Sequence, residues 1–348
     1  MEQINVTGMT LEQMESLMLS IGQPKYRATQ LFTWVYKKGI TAFDEMSNFS
    51  KSLRQQLSDL ADIGYLTLQQ QIVSTDGQAI KFLFRLADGL YLESVYMIEG
   101  KRRTVCLSTQ VGCTLKCRFC ATGAMGFRRN LTAGEIVDQL LWIRRTLGVD
   151  VTNVVIMGMG EPFLNYEATI AACKLISHDQ GIAIGKRKIT ISTSGIVPAI
   201  MQYADEGHGF KLAISLNAAD DAKRSEIMPI NRKYPLAELM QAARYYSSKS
   251  RQRVTFEYVL LAGVNDQPED ARRLSQLIKN LRCKINLIPY NATDGRFSAP
   301  TEERINEFMQ PFMNLNVVVS VRRSKGTDIQ AACGQLYYQH QTASDGAA

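Results

Sequence analysis

The stretch that decides the fold is Thr-Val-Cys-Leu-Ser-Thr-Gln-Val-Gly-Cys-Thr-Leu-Lys-Cys-Arg-Phe-Cys, residues 104–120. It begins with a short apolar run that is typical of a buried β-strand and continues into a loop that carries Cys113, Cys117 and Cys120. Structural zinc sites usually take four ligands in two separated pairs, whereas iron–sulfur clusters are held by cysteine thiolates. The C-x3-C-x2-C spacing therefore favours a four-iron cluster with one iron open to an external ligand. Cys106 as a fourth ligand and simple packing of buried thiols are the less favoured alternatives.

Strands and helices alternate from this stretch towards the C-terminus. The helix after the cysteine loop has clear signals, because Thr132 and Glu135 form a capping box in front of an apolar stripe. Such alternation predicts parallel β/α units, an α/β fold and a complete or partial barrel with its active site at the carboxyl ends of the strands. The predicted strands are residues 104–107, 153–157, 188–193, 211–216, 254–260, 284–288 and 317–321.

The segment before the barrel has two parts. Residues 1–63 predict a helical accessory module, in which Thr10 and Gln13 form a capping box. Residues 64–99 alternate between apolar and polar, with Asp-Gly turns, which predicts a small antiparallel meander. We assign residues 100–336 to the barrel and residues 337–348 to a C-terminal tail.

Composition narrows the class of protein. The chain has 348 residues, 45% of them hydrophobic and 21% charged, and no apolar run reaches the roughly 20 residues that span a bilayer. The N-terminus lacks the features of a signal peptide, so we expect a cytoplasmic protein without a membrane partner. A net charge of +7 fits either a nucleic-acid partner or simple solubility.

Further motifs follow the cysteines in a fixed order. They are Gly126-Phe-Arg-Arg-Asn-Leu-Thr, Met157-Gly-Met-Gly-Glu-Pro, Ser192-Thr-Ser-Gly, Met228-Pro-Ile-Asn-Arg, Asn286-Leu-Ile-Pro-Tyr-Asn and Ala332-Cys-Gly-Gln-Leu. Together with the C-x3-C-x2-C loop, this set resembles the radical S-adenosylmethionine (radical-SAM) RNA adenine C2-methyltransferases of the RlmN type. The resemblance covers nearly the whole chain. It implies a partial (β/α)6 TIM-like barrel, with the N-terminal module contributing to RNA binding.

The resemblance also implies two cofactors. A [4Fe–4S] cluster would be held by the three loop cysteines, and S-adenosylmethionine would bind at its open iron. The positions that match the family's cofactor-binding residues are Gly160, Glu161, Ser192, Ser215, Leu216, Asn217 and Asn291. The family often has histidine where this chain has Asn217, although asparagine can also donate and accept hydrogen bonds.

Three further residues match the family's catalytic positions. The resemblance implies that Cys333 carries the methyl group, that Cys106 forms a transient disulfide with it, and that Glu93 accepts a proton. Arg322, Arg323 and Lys325 lie close to Cys333 in the sequence and could favour its thiolate.

The implied substrates are adenines of 23S rRNA, in the peptidyl-transferase region, and of certain tRNAs, beside the anticodon. We also expect an external one-electron donor of the flavodoxin type and a monomeric protein. Three alternatives remain open. They are the related C8-methylating enzymes of the Cfr type, a methylthiotransferase, whose additional cluster domain would need cysteines that this chain lacks, and a non-enzymatic iron–sulfur RNA-binding protein.

Overall fold

β-branched and other apolar residues fill the strands of one large sheet, and amphipathic helices cover it. The computed structural model describes residues 4–293, 295–313 and 315–337. The strands are β1 (Ile4–Asn5), β2 (Ala61–Asp62), β3 (Thr67–Val73), β4 (Ala79–Arg85), β5 (Tyr91–Glu99), β6 (Arg102–Cys106), β7 (Gln110–Gly112), β8 (Phe127–Asn130), β9 (Asn153–Ile156), β10 (Ile189–Thr193), β11 (Lys211–Ser215), β12 (Val254–Leu260), β13 (Cys283–Pro289) and β14 (Val318–Val321). The helices are α1 (Leu11–Ser20), α2 (Tyr26–Phe32), α3 (Lys51–Leu60), α4 (Ala121–Ala124), α5 (Ala133–Leu147), α6 (Tyr166–Ser177), α7 (Val197–Glu206), α8 (Asp221–Ile227), α9 (Leu236–Lys249), α10 (Pro268–Leu277) and α11 (Glu302–Met309).

The sheet has the parallel core that the sequence predicts. Seven strands lie side by side in the order β6, β9, β10, β11, β12, β13 and β14, and all pairs among them are parallel. Helices connect each strand to the next, which gives six β/α units and a final strand. The predicted partial (β/α)6 barrel is therefore confirmed. The sheet stays open, with β14 at one edge and β3 at the other.

Local capping signals fix the helix starts. The Thr132 side chain accepts from the Glu135 amide, and the Glu135 carboxylate accepts from the Thr132 amide, so α5 begins at the predicted residue. Thr10 and Gln13 form the same arrangement in front of α1. Strand bounds differ from the predicted ones by a residue or two, because strand ends depend on pairing with neighbouring strands.

The antiparallel meander is continuous with the parallel strands in one ten-stranded sheet. Strands β3, β4 and β5 pair in sequence, and β5 then pairs with β6, from Glu99 with Arg102 to Val95 with Cys106. The meander thereby covers the edge of β6, which would otherwise expose unpaired backbone groups. Glu93 is consequently carried into the same sheet as the cysteine-bearing strand.

The N-terminal helices pack beside this sheet. β1 and β2 pair in parallel, and the buried Asp138 carboxylate on α5 accepts from the amides of Tyr65 and Leu66. Within the described ranges, no helix is both long enough and apolar enough to cross a membrane. The predicted C-terminal tail lies outside the described residues from position 338 onward.

Candidate active site

The carboxyl ends of the parallel strands surround a cavity of about 150 Å³. Its wall includes the loop cysteines, polar residues from the ends of β9, β10 and β11, and Cys333 from beyond β14. Residues that are far apart in the sequence therefore meet where barrel folds carry their chemistry.

A short hairpin that the sequence analysis missed holds the cysteine loop. Strands β7 and β8 pair on either side of it, and the Cys113 amide donates to the Gly126 carbonyl at 3.0 Å. At Gly112 a side chain would have its Cβ 1.7 Å from that carbonyl oxygen. Gly112 was the available signal, because only glycine permits such close backbone approach.

The three loop cysteines are partly buried and line the cavity. Burial raises the pKa of Cys113 to about 12 and raises the pKa values of Cys117 and Cys120 as well. Because a thiol bound to a metal loses its proton, iron would supply the positive charge that these thiolates need.

The arrangement fits a cluster better than a single ion. Among the described residues, no three histidine, cysteine, aspartate or glutamate side chains converge closely enough to hold one metal ion. A four-iron cluster attaches each thiolate to a different iron, so its ligands need not converge on one point. Cys106 lines a separate cavity with Cys333 and is not among the residues around the cluster cavity, which argues against a role as fourth ligand.

The end of β9 contributes Gly160 and Glu161. Gly160 has a φ of +102°, and a Cβ there would lie 2.5 Å from the Gln110 Cβ. The buried Glu161 carboxylate accepts from the amides of Phe163, at 3.0 Å, and Ser194, at 2.7 Å. Burial raises the pKa of this carboxyl, and these amides oppose the shift. Glu161 thus joins the ends of β9 and β10 while it lines the cavity.

The other predicted cofactor residues divide into two groups. Ser192, Ser215 and Asn217 line the cavity. The Asn217 side chain accepts from the Val259 amide at 2.8 Å, and its Nδ2 lies 3.1 Å from the Met228 sulfur. Leu216 and Asn291 are not among the lining residues. The Asn291 side chain instead donates to the Ser324 hydroxyl and to the Cys333 carbonyl, at 2.9 and 3.1 Å.

Arg224 on α8 is a site residue that the sequence analysis did not select. It is fully buried and donates to the carbonyls of Ser194, Ser215 and Leu216. Burial lowers its pKa to about 10, and the charge of nearby Cys117 opposes the shift. The guanidinium therefore fixes the ends of β10 and β11 beside the cysteine loop. The sequence of α8 contains several charged residues, and nothing in it marked Arg224 as a site residue.

The three basic residues near Cys333 behave differently. Arg322 is largely buried, lines the cavity and interacts with Cys333, which raises the pKa of Arg322. Lys325 lines the smaller cavity between Cys106 and Cys333. Arg323 forms an exposed ion pair with Glu302 and is not among the residues that line either cavity.

Comparison with known proteins agrees with this geometry. The model of the Radical SAM superfamily matches residues 107–274, and that of the ribosomal RNA large subunit methyltransferase N-terminal domain matches residues 4–63. The dual-specificity RNA methyltransferase RlmN of Syntrophus aciditrophicus is 46% identical, and the alignment covers 97% of each chain. The chain belongs to the RlmN family. A probable RlmN of Alkaliphilus oremlandii is 43% identical over 98% of this chain and 99% of its own.

A solved relative extends the agreement to the fold. The crystal structure of a radical SAM methyltransferase from Sphaerobacter thermophilus matches this chain with a TM-score of 0.92 and 45% identity, over 96% of this chain and 99% of that one. This RlmN-family chain is accordingly a radical-SAM RNA methyltransferase. It uses a [4Fe–4S] cluster and S-adenosylmethionine, as its superfamily does.

Proposed function

We propose that this enzyme methylates carbon C2 of adenine in 23S rRNA and in certain tRNAs, with Cys333 carrying the methyl carbon. The observation that carries the proposal is that Cys333 and the three loop cysteines line one cavity, although more than 200 positions separate them in the sequence. We propose Cys113, Cys117 and Cys120 as the cluster ligands. The proposed cofactor-binding residues are Gly160, Glu161, Ser192, Ser215 and Asn217. Leu216 would contribute through its backbone, and Asn291 would contribute through its contact with the Cys333 loop.

A carrier cysteine suits the chemistry of the target. C2 of adenine is electron-poor and does not attack an alkyl donor, so a methyl group cannot reach it by direct displacement. The cluster and S-adenosylmethionine would supply radical chemistry when bound, so that a radical on the carbon carried by Cys333 could add to such a position. The target base must leave its stack to enter a cavity at the end of a barrel.

The backbone carbonyls of the Cys333 loop accept two hydrogen bonds from the residues that directly follow Cys120. The Ala121 amide donates to the Gly334 carbonyl at 2.7 Å, and the Thr122 hydroxyl donates to the Leu336 carbonyl at 2.6 Å. These bonds support a role for Cys333 in which its sulfur meets both the cofactor and the substrate base. The cationic Arg322 lines the same cavity as Cys333.

Cys106 is the proposed resolving cysteine. It and Cys333 are free thiols that line a second small cavity, of about 20 Å³, together with Arg322. Burial raises the pKa of Cys106 to about 12, and the neighbouring Cys333 adds to the shift. The shared cavity supports a step in which the Cys106 sulfur, after losing its proton, bonds to the Cys333 sulfur while the bond from Cys333 to the transferred carbon breaks and the methylated base leaves.

Glu93 is the proposed proton acceptor. It is buried rather than solvated, pairs with the buried Lys81 at 3.0 Å, and accepts from the Tyr337 amide at 2.9 Å. Tyr337 follows the Cys333 loop directly, so the carboxylate contacts the segment that carries the methyl group. Burial raises the pKa of Glu93, and Lys81 opposes the shift.

The test is mass spectrometry of RNA digested after incubation with the reduced enzyme and S-adenosylmethionine. We expect 2-methyladenosine with the wild type and with Cys173→Ala, a buried cysteine that does not line the cavity, and none with Cys333→Ala. Cys106→Ala should accumulate a covalent RNA–protein adduct through Cys333. Methylation at C8, or C2 methylation by Cys333→Ala, would refute the proposal. RNA binding without any methylation would favour the non-enzymatic alternative.

We further propose the setting of the reaction. The enzyme would act in the cytoplasm as a monomer and receive its electron from a flavodoxin-like protein. The net charge of +7 supports contacts with RNA phosphates, which position the substrate without reading its sequence.

A further inference from the structure

The cavity wall contains an acidic side chain that the proposed mechanism does not use, Glu257 on β12. This residue is only 6% exposed. Its Oε1 accepts from Asn286 Nδ2 at 2.9 Å, whereas Oε2 has no hydrogen-bond partner among the described residues. Buried polar atoms are nearly always hydrogen-bonded, and leaving one unpaired is costly. A donor from the molecule that binds in the cavity would satisfy Oε2.

The position of this atom distinguishes it from similar ones. Three other buried side-chain polar atoms in the described ranges lack a partner, in Arg54, Thr109 and Tyr246, and none of these residues lines the cavity. Burial raises the pKa of the Glu257 carboxyl, and the nearby Arg322 opposes the shift without hydrogen-bonding to Oε2. Glu257 is therefore an acceptor that the protein itself leaves free.

The neighbours of Glu257 indicate the kind of molecule that would supply the donor. Ser215 is its partner in the register of β11 with β12, and Ser192 from the next strand lines the same wall. Two residues further along β12 the wall becomes apolar at Val259, beside Ile288 of β13. Hydroxyls and a carboxylate beside an apolar surface suit a nucleoside, because its ribose carries hydroxyl donors next to a flat base.

We propose that Glu257 binds the ribose hydroxyls of S-adenosylmethionine through Oε2 and is thus a further cofactor-binding residue. The inference rests on the proposed function only in taking S-adenosylmethionine as the occupant of this cavity. Gly160 and Glu161 line the same cavity in the proposed site, so Glu257 would add another point of attachment. Two attachments restrict rotation of the bound nucleoside, which favours a single reactive geometry.

The test measures binding of S-adenosylmethionine and of its 2′-deoxy and 3′-deoxy analogues to the iron-loaded, unreduced enzyme without RNA. Isothermal titration calorimetry gives each Kd. We expect the wild type to bind at least one analogue about tenfold to a hundredfold more weakly than S-adenosylmethionine, as expected for the loss of a hydrogen bond to a charged group. Glu257→Ala should bind all three weakly and no longer distinguish them. Glu307→Ala, at an exposed glutamate that pairs with Arg304, is the matched control.

Two results would overturn the inference. Equal affinity of the wild type for all three ligands would do so without any variant, so the test does not depend on the folding of Glu257→Ala. Unchanged affinity of Glu257→Ala for S-adenosylmethionine, with weaker RNA binding, would assign the donor to the substrate instead. Iron content, measured on each preparation, shows whether the cluster is retained. Since no methylation is measured, this inference and the proposed C2 chemistry can fail separately.

Discussion

The buried ion pair between Lys81 and Glu93 gives a quantitative prediction. Both side chains are buried in the meander, and their closest nitrogen and oxygen lie 3.0 Å apart. Lys81→Met leaves Glu93 with two options, to remain charged without its cation or to take up a proton. The first costs about 3–5 kcal/mol of stability, since it leaves an uncompensated buried charge. The second costs about 1.4 kcal/mol for each pH unit above the usual carboxyl pKa.

The option that costs less free energy determines the expected loss of stability. With the usual pKa of 4.5, protonation costs about 3.4 kcal/mol at pH 7 and about 1.4 kcal/mol at pH 5.5. A carboxyl whose pKa is raised in the folded state stabilises the fold below its unfolded pKa and loses that contribution as pH rises. The loss in free energy of unfolding that Lys81→Met causes should therefore become smaller at acidic pH. Urea unfolding of the wild type and the variant between pH 5.5 and 7.5 measures it.

A double variant supplies the control. Glu93→Gln keeps an acceptor for the Tyr337 amide but carries no charge, so Lys81→Met with Glu93→Gln should be less destabilised than Lys81→Met alone. A deficit that stays constant across this pH range, or simple addition of the two single effects, would show that the charges do not interact as described.

Three further predictions concern the cavity. Alanine at Cys113, Cys117 or Cys120 should each abolish the iron and sulfide content of anaerobically reconstituted protein, whereas alanine at Cys283 should not; bound zinc in place of iron would contradict the cluster. Gly160→Ala should lose about 1–3 kcal/mol of stability in urea unfolding, because its φ is positive and Gln110 occupies the space. Gly185→Ala is the control, because a Cβ added there would have no atom within 4 Å. Equal losses of stability in the two variants would disprove the argument. Arg224→Met should weaken binding of S-adenosylmethionine, measured by calorimetry without RNA, because Ser194, Ser215 and Leu216 lose their shared donor; unchanged affinity would show that this arginine does not organise the site.

Local sequence signals determined the elements of this fold and one part of the site. The capping boxes at Thr10 and Thr132, the Asp-Gly turns and the β-branched runs act over a few residues, so they can be interpreted without the tertiary structure. The same holds for the cysteine loop, since the spacing of Cys113, Cys117 and Cys120 is itself the chemical signal. The strand-end rule of barrels then placed the polar motifs near one another.

Only the tertiary structure decided which distant residues meet. The burial of Glu93 depends on its contacts with Lys81 and Tyr337. The buried Arg224 and the free oxygen of Glu257 depend on the packing of strand ends. Asn291 contacts the Cys333 loop rather than the cavity for the same reason. Hydrogen bonding and desolvation of a side chain are set by neighbours that lie far away in the sequence. No short-range pattern specifies those neighbours, so these features follow from the folded chain alone.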